Sequence, residues 1–386
     1  MSRLVPLQVL AFLAALSAAC AHTSVKQPSP ALEMDPIVFS AGKNGDVTVR
    51  DPAEPFDEAA IEYRASRYAE ALALFERVIV ENPGTQHARS SLYNAALCLE
   101  QLDRRPEAAT KLRTLADDFP TSNEALDALY RLGTNLATLK DWPASEAVHE
   151  RILKRPGLTL SDRVEAYARL GEARFERGQL DGAERTLRQL RELYRQHEQE
   201  ERLDTDYFLA MGVFYLAEIT HAQYKLLPVR LPQRRLEDDL EAKARMLLLA
   251  QQRYLDAIRV KHSEWATAAG FRIGSLYREF YDDLVGAPVP EALKGEAREI
   301  YQAQVRKKVR NLLVKAVSFH EKNLLMAERT GEKNDWVKRS TAQLDELRQL
   351  LDPALAPQAP DTEPSPAEPP RPIAPPRDPT GDRPTL

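Results

Sequence analysis

From about residue 56 onward, apolar positions recur at offsets of three and four, the spacing of amphipathic helices and not of strands. Leu92, Ala95, Ala96 and Leu99 form one such stripe, and Ala108, Leu112 and Leu115 form a second after a short polar break. The same pair returns as Leu129, Leu132, Gly133 and Leu136 with Trp142, Ser145 and Ile152. It returns again as Tyr167, Leu170 and Gly171 with Leu180, Ala183, Leu187 and Leu190. An earlier unit is weak in its opening helix and clear afterwards, at Tyr68, Ala71, Phe75 and Val78. Units end near Pro83, Pro120 and Pro156, because proline lacks the N–H that a helix interior needs. The period is about 37 residues, slightly above the roughly 34 of a standard helical-pair repeat.

The residue types suit stacked helix pairs. Gly or Ala in the middle of each first helix and Ala in the second let two axes approach, and larger apolar residues fill the remaining space. No unit buries its own stripe, so neighbours must stack. The second half stretches the pattern. Thr205 to Gln223 carries Phe208, Met211, Gly212 and Tyr215, and its partner, Leu240 to Val260, carries Ala250, Tyr254 and Ala257. Ala266 to Leu284 carries Ile273, Gly274 and Tyr277, followed by a long helix over about Ala292 to Arg329. Two-proline insertions, at 226–235 and 285–290, fall at the same place in the unit and are expected to protrude on one face, or else to cover the end of the array. Asn334 to Leu351 is predicted to be a capping helix with Trp336, Leu344, Leu347 and Leu350 on its apolar side.

The run Phe119-Pro120-Thr121-Ser122, Ala125, Ala128, Tyr130, Leu132, Gly133 resembles the tetratricopeptide modules of bacterial envelope proteins. Examples are the lipoprotein of the outer-membrane β-barrel assembly machine and the periplasmic coordinator of the Tol-Pal system. The resemblance covers roughly residues 56–200. It implies an all-α, right-handed superhelical solenoid that binds proteins or peptides and catalyses nothing. First helices of such arrays line a concave groove, and by position Tyr63, Tyr93, Tyr130, Glu172 and Phe175 would point into it, with inter-repeat core as the alternative for each. The basic pattern of the carboxylate-clamp subfamily is not evident. The stretch Leu276-Tyr-Arg-Glu-Phe-Tyr-Asp-Asp-Leu284, the loop after it and Gly331 to Trp336 are similar to tetratricopeptide lipoproteins of gliding motility.

Both ends differ from this body. Arg3 precedes an apolar run, Leu4 to Leu16, then Ser17-Ala18-Ala19 and Cys20. The run is short for a membrane span and of signal-peptide length. It resembles a bacterial lipobox, with Leu16 four residues before Cys20 where the pattern places its Leu three before; ordinary secretion with cleavage nearby is the alternative. The resemblance implies a signal peptide over 1–19 and acylation of Cys20. With Ala21 in place of Asp, it implies sorting to the outer membrane, the body facing the periplasm. Residues 20–55 are read as a flexible tether, 56–200 as four repeats, 201–351 as degenerate repeats with a cap, and 352–386, about one third proline, as a disordered tail.

Composition narrows the chemistry. A net charge of −5 over 386 residues gives no case for nucleic-acid binding. Cys98 is the one cysteine besides Cys20 and is expected to be a buried structural thiol. The seven histidines, at 22, 87, 149, 197, 221, 262 and 320, form no metal-ligand spacing, and His149 and His320 are expected at helix contacts. No phosphate loop or nucleophile turn occurs. The paired acids Asp117-Asp118, Asp238-Asp239 and Asp282-Asp283 read as solvated faces, because adjacent helix residues diverge. The run Arg306-Lys307-Lys308 with Arg310 also reads as a solvated face, or as a contact for anionic lipid or an acidic partner. No cofactor, metal or small-molecule substrate is expected. The expected role is an envelope scaffold or adaptor in motility, secretion or outer-membrane assembly. The alternatives are an activator of a peptidoglycan-processing enzyme and a structural spacer lipoprotein.

Overall fold

The computed structural model describes residues 38–41, 47–50 and 53–351. The signal peptide, Cys20, most of the tether and the proline-rich tail lie outside the described residues. Within the stretch read as a tether, β1 (Val38–Ala41) pairs antiparallel with β2 (Val47–Arg50), Val38 opposite Arg50 and Ala41 opposite Val47. The reading overlooked a local signal there. Val38, Phe39, Val47, Thr48 and Val49 are strand formers, and Asn44-Gly45 between them is a hairpin-turn pair.

Thirteen helices follow among the described residues. The first unit holds α1 (Ala53–Arg64), α2 (Tyr68–Glu81) and α3 (Gln86–Gln101). The second holds α4 (Arg105–Asp118), α5 (Asn123–Thr138), α6 (Trp142–Leu153), α7 (Leu160–Glu176), α8 (Leu180–His197), α9 (Tyr207–Leu226), α10 (Gln233–Arg259), α11 (Ser263–Val285), α12 (Glu296–Thr330) and α13 (Asp335–Leu351). Within each unit every helix packs on the next in chain order, as a tetratricopeptide-type solenoid requires.

The repeat is visible in the backbone. Ser66, Asp103, Lys140 and Gly178, spaced 37, 37 and 38 residues apart, all take positive φ, and each stands two residues before a second helix begins. At Ser66, Lys140 and Gly178 the left-handed residue turns the chain sharply enough to lay α1 against α2, α5 against α6 and α7 against α8. The return from each pair reuses a cap. Thr85 Oγ1 accepts from the Ala88 N–H, Ser122 Oγ from the Ala125 N–H, both at 3.1 Å, and Thr159 forms a capping box with Asp162. This explains why each proline is soon followed by Ser or Thr.

Packing turns on the small residue of each first helix. A side chain at Gly133 would collide with the His149 ring, at Gly171 with Leu187, and at Gly274 with His320. His149, Leu187 and His320 are each nearly or fully buried, so the glycine is the socket for one large side chain of the paired helix. Ser145 adds a bond across the same contact, its hydroxyl donating to the Gly133 carbonyl at 3.2 Å. Gly212 differs, because Leu190 of the preceding pair fills its socket. In the first unit Phe75 plays the filling part, packed edge-on against Phe56 at 5.7 Å. Cys98 is fully buried, and burial pushes its thiol up to about 11.

Two expectations change. The two-proline stretches are loops, at 227–232 and 286–295, but α10 begins at Gln233, ahead of the expected Leu240, and α10 and α12 run to 27 and 35 residues against 12 in α6. Leu236, Lys243 and Leu247 continue a buried stripe toward the start of α10, so the insertion lengthens the pair and leaves a short loop at its end. In α13 the inward stripe is Trp336, Ser340, Leu344, Leu347 and Leu351; Leu350 is 49% exposed, one residue off the face predicted for it.

Gly133→Ala should cost about 1–3 kcal/mol by forcing His149 aside. Denaturant titrations of Gly133→Ala, His149→Ala and the double variant should show strong coupling, and additive losses would refute the socket. His149 and His320 are both held down to about 4, burial being the main cause, with Arg169 adding to it at His149. The unfolded chain therefore takes up protons below its ordinary value of 6.5 while the folded chain does not. Stability should fall as pH drops from 6.5 toward 4, by up to about 3 kcal/mol per histidine. His149→Leu, which copies Leu187 at the matching place, should flatten that dependence.

Candidate functional site

The first helices of the second unit carry a row of charged and aromatic side chains. On α7, Glu165, Arg169, Glu172 and Glu176 follow at offsets of four, three and four, so they share one side of the helix. Arg169 Nε donates to Glu165 at 2.8 Å, and its guanidinium lies 5.0 Å over the Phe208 ring of α9. The Tyr215 hydroxyl of α9 donates to Glu172 Oε1 at 2.9 Å, and Phe175 meets the Tyr215 ring edge-on at 5.5 Å. Next along, Glu218 of α9 accepts from Arg272 Nη2 of α11 at 2.7 Å and from the Tyr254 hydroxyl of α10. The Arg272 guanidinium in turn stands 5.5 Å over Trp336 of α13.

Acids outnumber bases here. Burial leads in holding the carboxyls of Asp127, Glu165, Glu172 and Glu176 above their ordinary range. Asp162 adds to the shift at Asp127 and Glu218 adds to it at Glu176, whereas Arg169 opposes it at Glu165 and Glu172. The hydroxyls of Tyr215 and Tyr254 are pushed well up by burial and then by the carboxylates beside them, so both remain donors.

Of the residues expected in a groove, Glu172 and Phe175 converge on Tyr215. Tyr130 lies on α5 at the other end of the row, half-buried, its hydroxyl donating to the Asp162 carbonyl at 2.6 Å. It ties α5 to the start of α7, the inter-repeat alternative given for it. Tyr63 and Tyr93 belong to the first unit, half-buried on α1 and α3, with Tyr63 edge-on to Tyr68 at 5.5 Å. Sequence reasoning did not name Arg169, Glu218 or Arg272 for the site. The offsets on α7 could have found Arg169, but nothing local pairs Glu218 with Arg272, 54 positions later.

A second polar layer joins the long helices. His221 Nδ1 lies 3.0 Å from the Tyr254 hydroxyl, and His221 Nε2 lies 2.8 Å from Glu279, which also meets Lys225 at 3.2 Å. Burial pushes the Glu279 carboxyl up, but His221 and Lys225 together outweigh it and hold it below its ordinary range. Lys243, only 3% exposed, reaches Asp283 at 2.9 Å, and Tyr224 donates to the same carboxylate. Asp283 is therefore no solvated acid, contrary to the reading of its pair. Asp239 is likewise held by Arg230, at 2.9 and 3.0 Å, whereas Asp117, its side chain 51% exposed, meets Arg151 at 2.5 Å on a solvated face, as read.

Among the described residues, no group of three or more His, Cys, Asp and Glu is placed to hold a metal ion, and no helix is long and apolar enough to cross a membrane. Residues 90–122 and 165–197 match the family described as Tetratricopeptide repeat. No curated protein matches the sequence. Similar solved structures include a MamA fragment from Desulfovibrio magneticus, 17% identical over 53% of this chain and 95% of that one, TM-score 0.36. They also include the C-terminal part of a tetratricopeptide repeat-containing protein from Cytophaga hutchinsonii, 14% identical over 70% and 87%, TM-score 0.41. The apo form of RapI is 9% identical over 78% and 98%, TM-score 0.42. The matched repeats are α3–α4 and α7–α8, and the helix pairs after them repeat the same packing rule. Tetratricopeptide arrays are protein-binding modules, and no catalytic family is indicated.

Arg272→Met should leave Glu218, 7% exposed, without its cation and cost about 3–5 kcal/mol. Adding Glu218→Met should recover most of that loss in denaturant melts. If the double variant is no better than the single, the pair does not carry the contact between α9 and α11.

Proposed function

We propose that this chain is a non-catalytic scaffold or adaptor of a bacterial envelope complex, anchored in the outer membrane by an acylated Cys20 with its body facing the periplasm. The protein-binding part of this reading is carried by the row on α7, α9 and α11, where surplus carboxylates stand beside aromatic rings. Such a surface suits a partner segment bearing Lys or Arg. A guanidinium arriving there would take the place Arg169 occupies over Phe208, its charge against the ring face and its N–H groups toward a carboxylate.

The anchoring part rests on the chain's first twenty residues, where a basic start, an apolar run and small residues precede Cys20. An acylated cysteine holds a protein to a bilayer by burying methylenes, at about 0.8 kcal/mol each. Among envelope machines, the likeness of 276–284 to gliding-motility lipoproteins favours a motility complex over secretion or barrel assembly.

Cells fed a fatty-acid analogue should label the wild-type chain and not Cys20→Ala, and the variant should leave the membrane fraction. A tagged full-length chain, cross-linked in cells, should carry envelope proteins in constant ratio. Glu172→Lys with Glu176→Lys should reduce that recovery by at least about tenfold, because like charges then face the partner. Recovery of the chain alone, or equal recovery with the reversed charges, overturns the reading.

A further inference from the structure

In the second unit many helix cations are held by carboxylates. Arg174 is held by Glu146 and Glu150, Arg253 by Glu184, and Arg278 by Asp282 and Glu346. The middle of α12 is different. From Ile300 to His320 it has no Asp or Glu and carries Arg306, Lys307, Lys308, Arg310 and Lys315. Arg306, Lys307 and Lys308 have no carboxylate partner among the described residues. Arg310 donates to the backbone carbonyl of Leu351 at 2.8 Å, and the Lys315 ammonium lies 5.4 Å over the Tyr277 ring.

Three of these cations, Lys307, Lys308 and Lys315, share a side of the helix, with Arg306 and Arg310 on the adjoining side. Gln304, Lys307, Lys308, Asn311, Val314 and Lys315, all exposed, follow the offsets of one face, and Val314 leaves 49% of its surface open. The face also projects. The contacts Gly270–Asn323 and Gly274–His320 set α11 and α12 antiparallel, and by that register the end of α11 at Val285 stands opposite about residue 309. Arg306, Lys307 and Lys308 therefore sit on the part of α12 that outruns its partner helix.

We propose that this projecting basic stretch of α12 rests on an anionic phospholipid surface. A single phosphate or a peptide carboxylate is recognised by a concave, pre-oriented donor set. Lys307 and Lys308 are instead flexible ammonium groups on a convex helix face, with an apolar Val314 among them. That arrangement matches a plane of negative charge with mobile headgroups, which needs charge density and no fixed geometry. Each cation near such a surface strengthens binding by about fivefold. The contact is separate from the carboxylate row on α7 and needs no acyl chain.

The test uses the full chain with Cys20→Ala, so that no lipid anchor contributes, and flotation with vesicles of phosphatidylcholine alone or mixed with phosphatidylglycerol. The chain should float with the mixed vesicles only, and high salt should release it. Arg306→Gln, Lys307→Gln and Lys308→Gln together should lower the affinity by at least about tenfold, with the melting curve unchanged. A charge-matched control, Arg245→Gln, Arg259→Gln and Lys338→Gln, should keep it. Equal flotation with neutral vesicles, or equal loss in the control, overturns the proposal. So does binding to polyglutamate without binding to the mixed vesicles, which assigns the stretch to an acidic protein instead. The partner-capture experiment on Glu172 and Glu176 is unaffected by any of these results.

Discussion

Everything in the second unit depends on how closely two paired helices can approach. Gly133, Gly171 and Gly274 remove a side chain where His149, Leu187 and His320 must enter. A methyl group there would push the axes apart, and protein interiors do not absorb such a shift. Close pairs in turn bring α7, α9 and α11 near enough for Tyr215 to reach Glu172 and for Arg272 to reach Glu218. The charged row is thus a product of the glycine sockets.

Pair stacking leaves one problem in the long repeats. Apolar stripes are tolerant of register, because a helix slid by one turn still buries leucines. Lys243 with Asp283, and His221 with Tyr254 and Glu279, are not tolerant. Sliding α10 or α11 would strand a buried charge, which is far costlier than mismatched methyl groups. These polar contacts join α9, α10 and α11, the helices whose length makes register hardest to define by packing alone.

The repeat was legible because it is local. The small residue of each first helix, the Ser or Thr caps and the closing prolines lie within one unit, and the left-handed turns at Ser66, Asp103, Lys140 and Gly178 keep the same period. The candidate site was legible only in part. Glu172 and Phe175 were named by position, but the ring they converge on, Tyr215, comes from the next repeat, and no rule within a unit names it. The strand pair Val38–Ala41 and Val47–Arg50 was missed because prolines around it were taken as the dominant signal, while the two strands occupy only eight positions. Leu350 was placed inward because a helix of ideal period cannot tell Leu350 from Leu351 at its last turn.

The two lengthened pairs also behave differently from the short ones under load. At 1.5 Å per residue, α10 and α12 are about 40 and 52 Å long, whereas α6 is about 18 Å. A force applied at the far end of such a rod acts with a long moment arm on the contacts at its base, where Gly274 receives His320 and Glu218 holds Arg272. A tug on the tip of α12 would therefore act as a torque on α11 at the Gly274 socket.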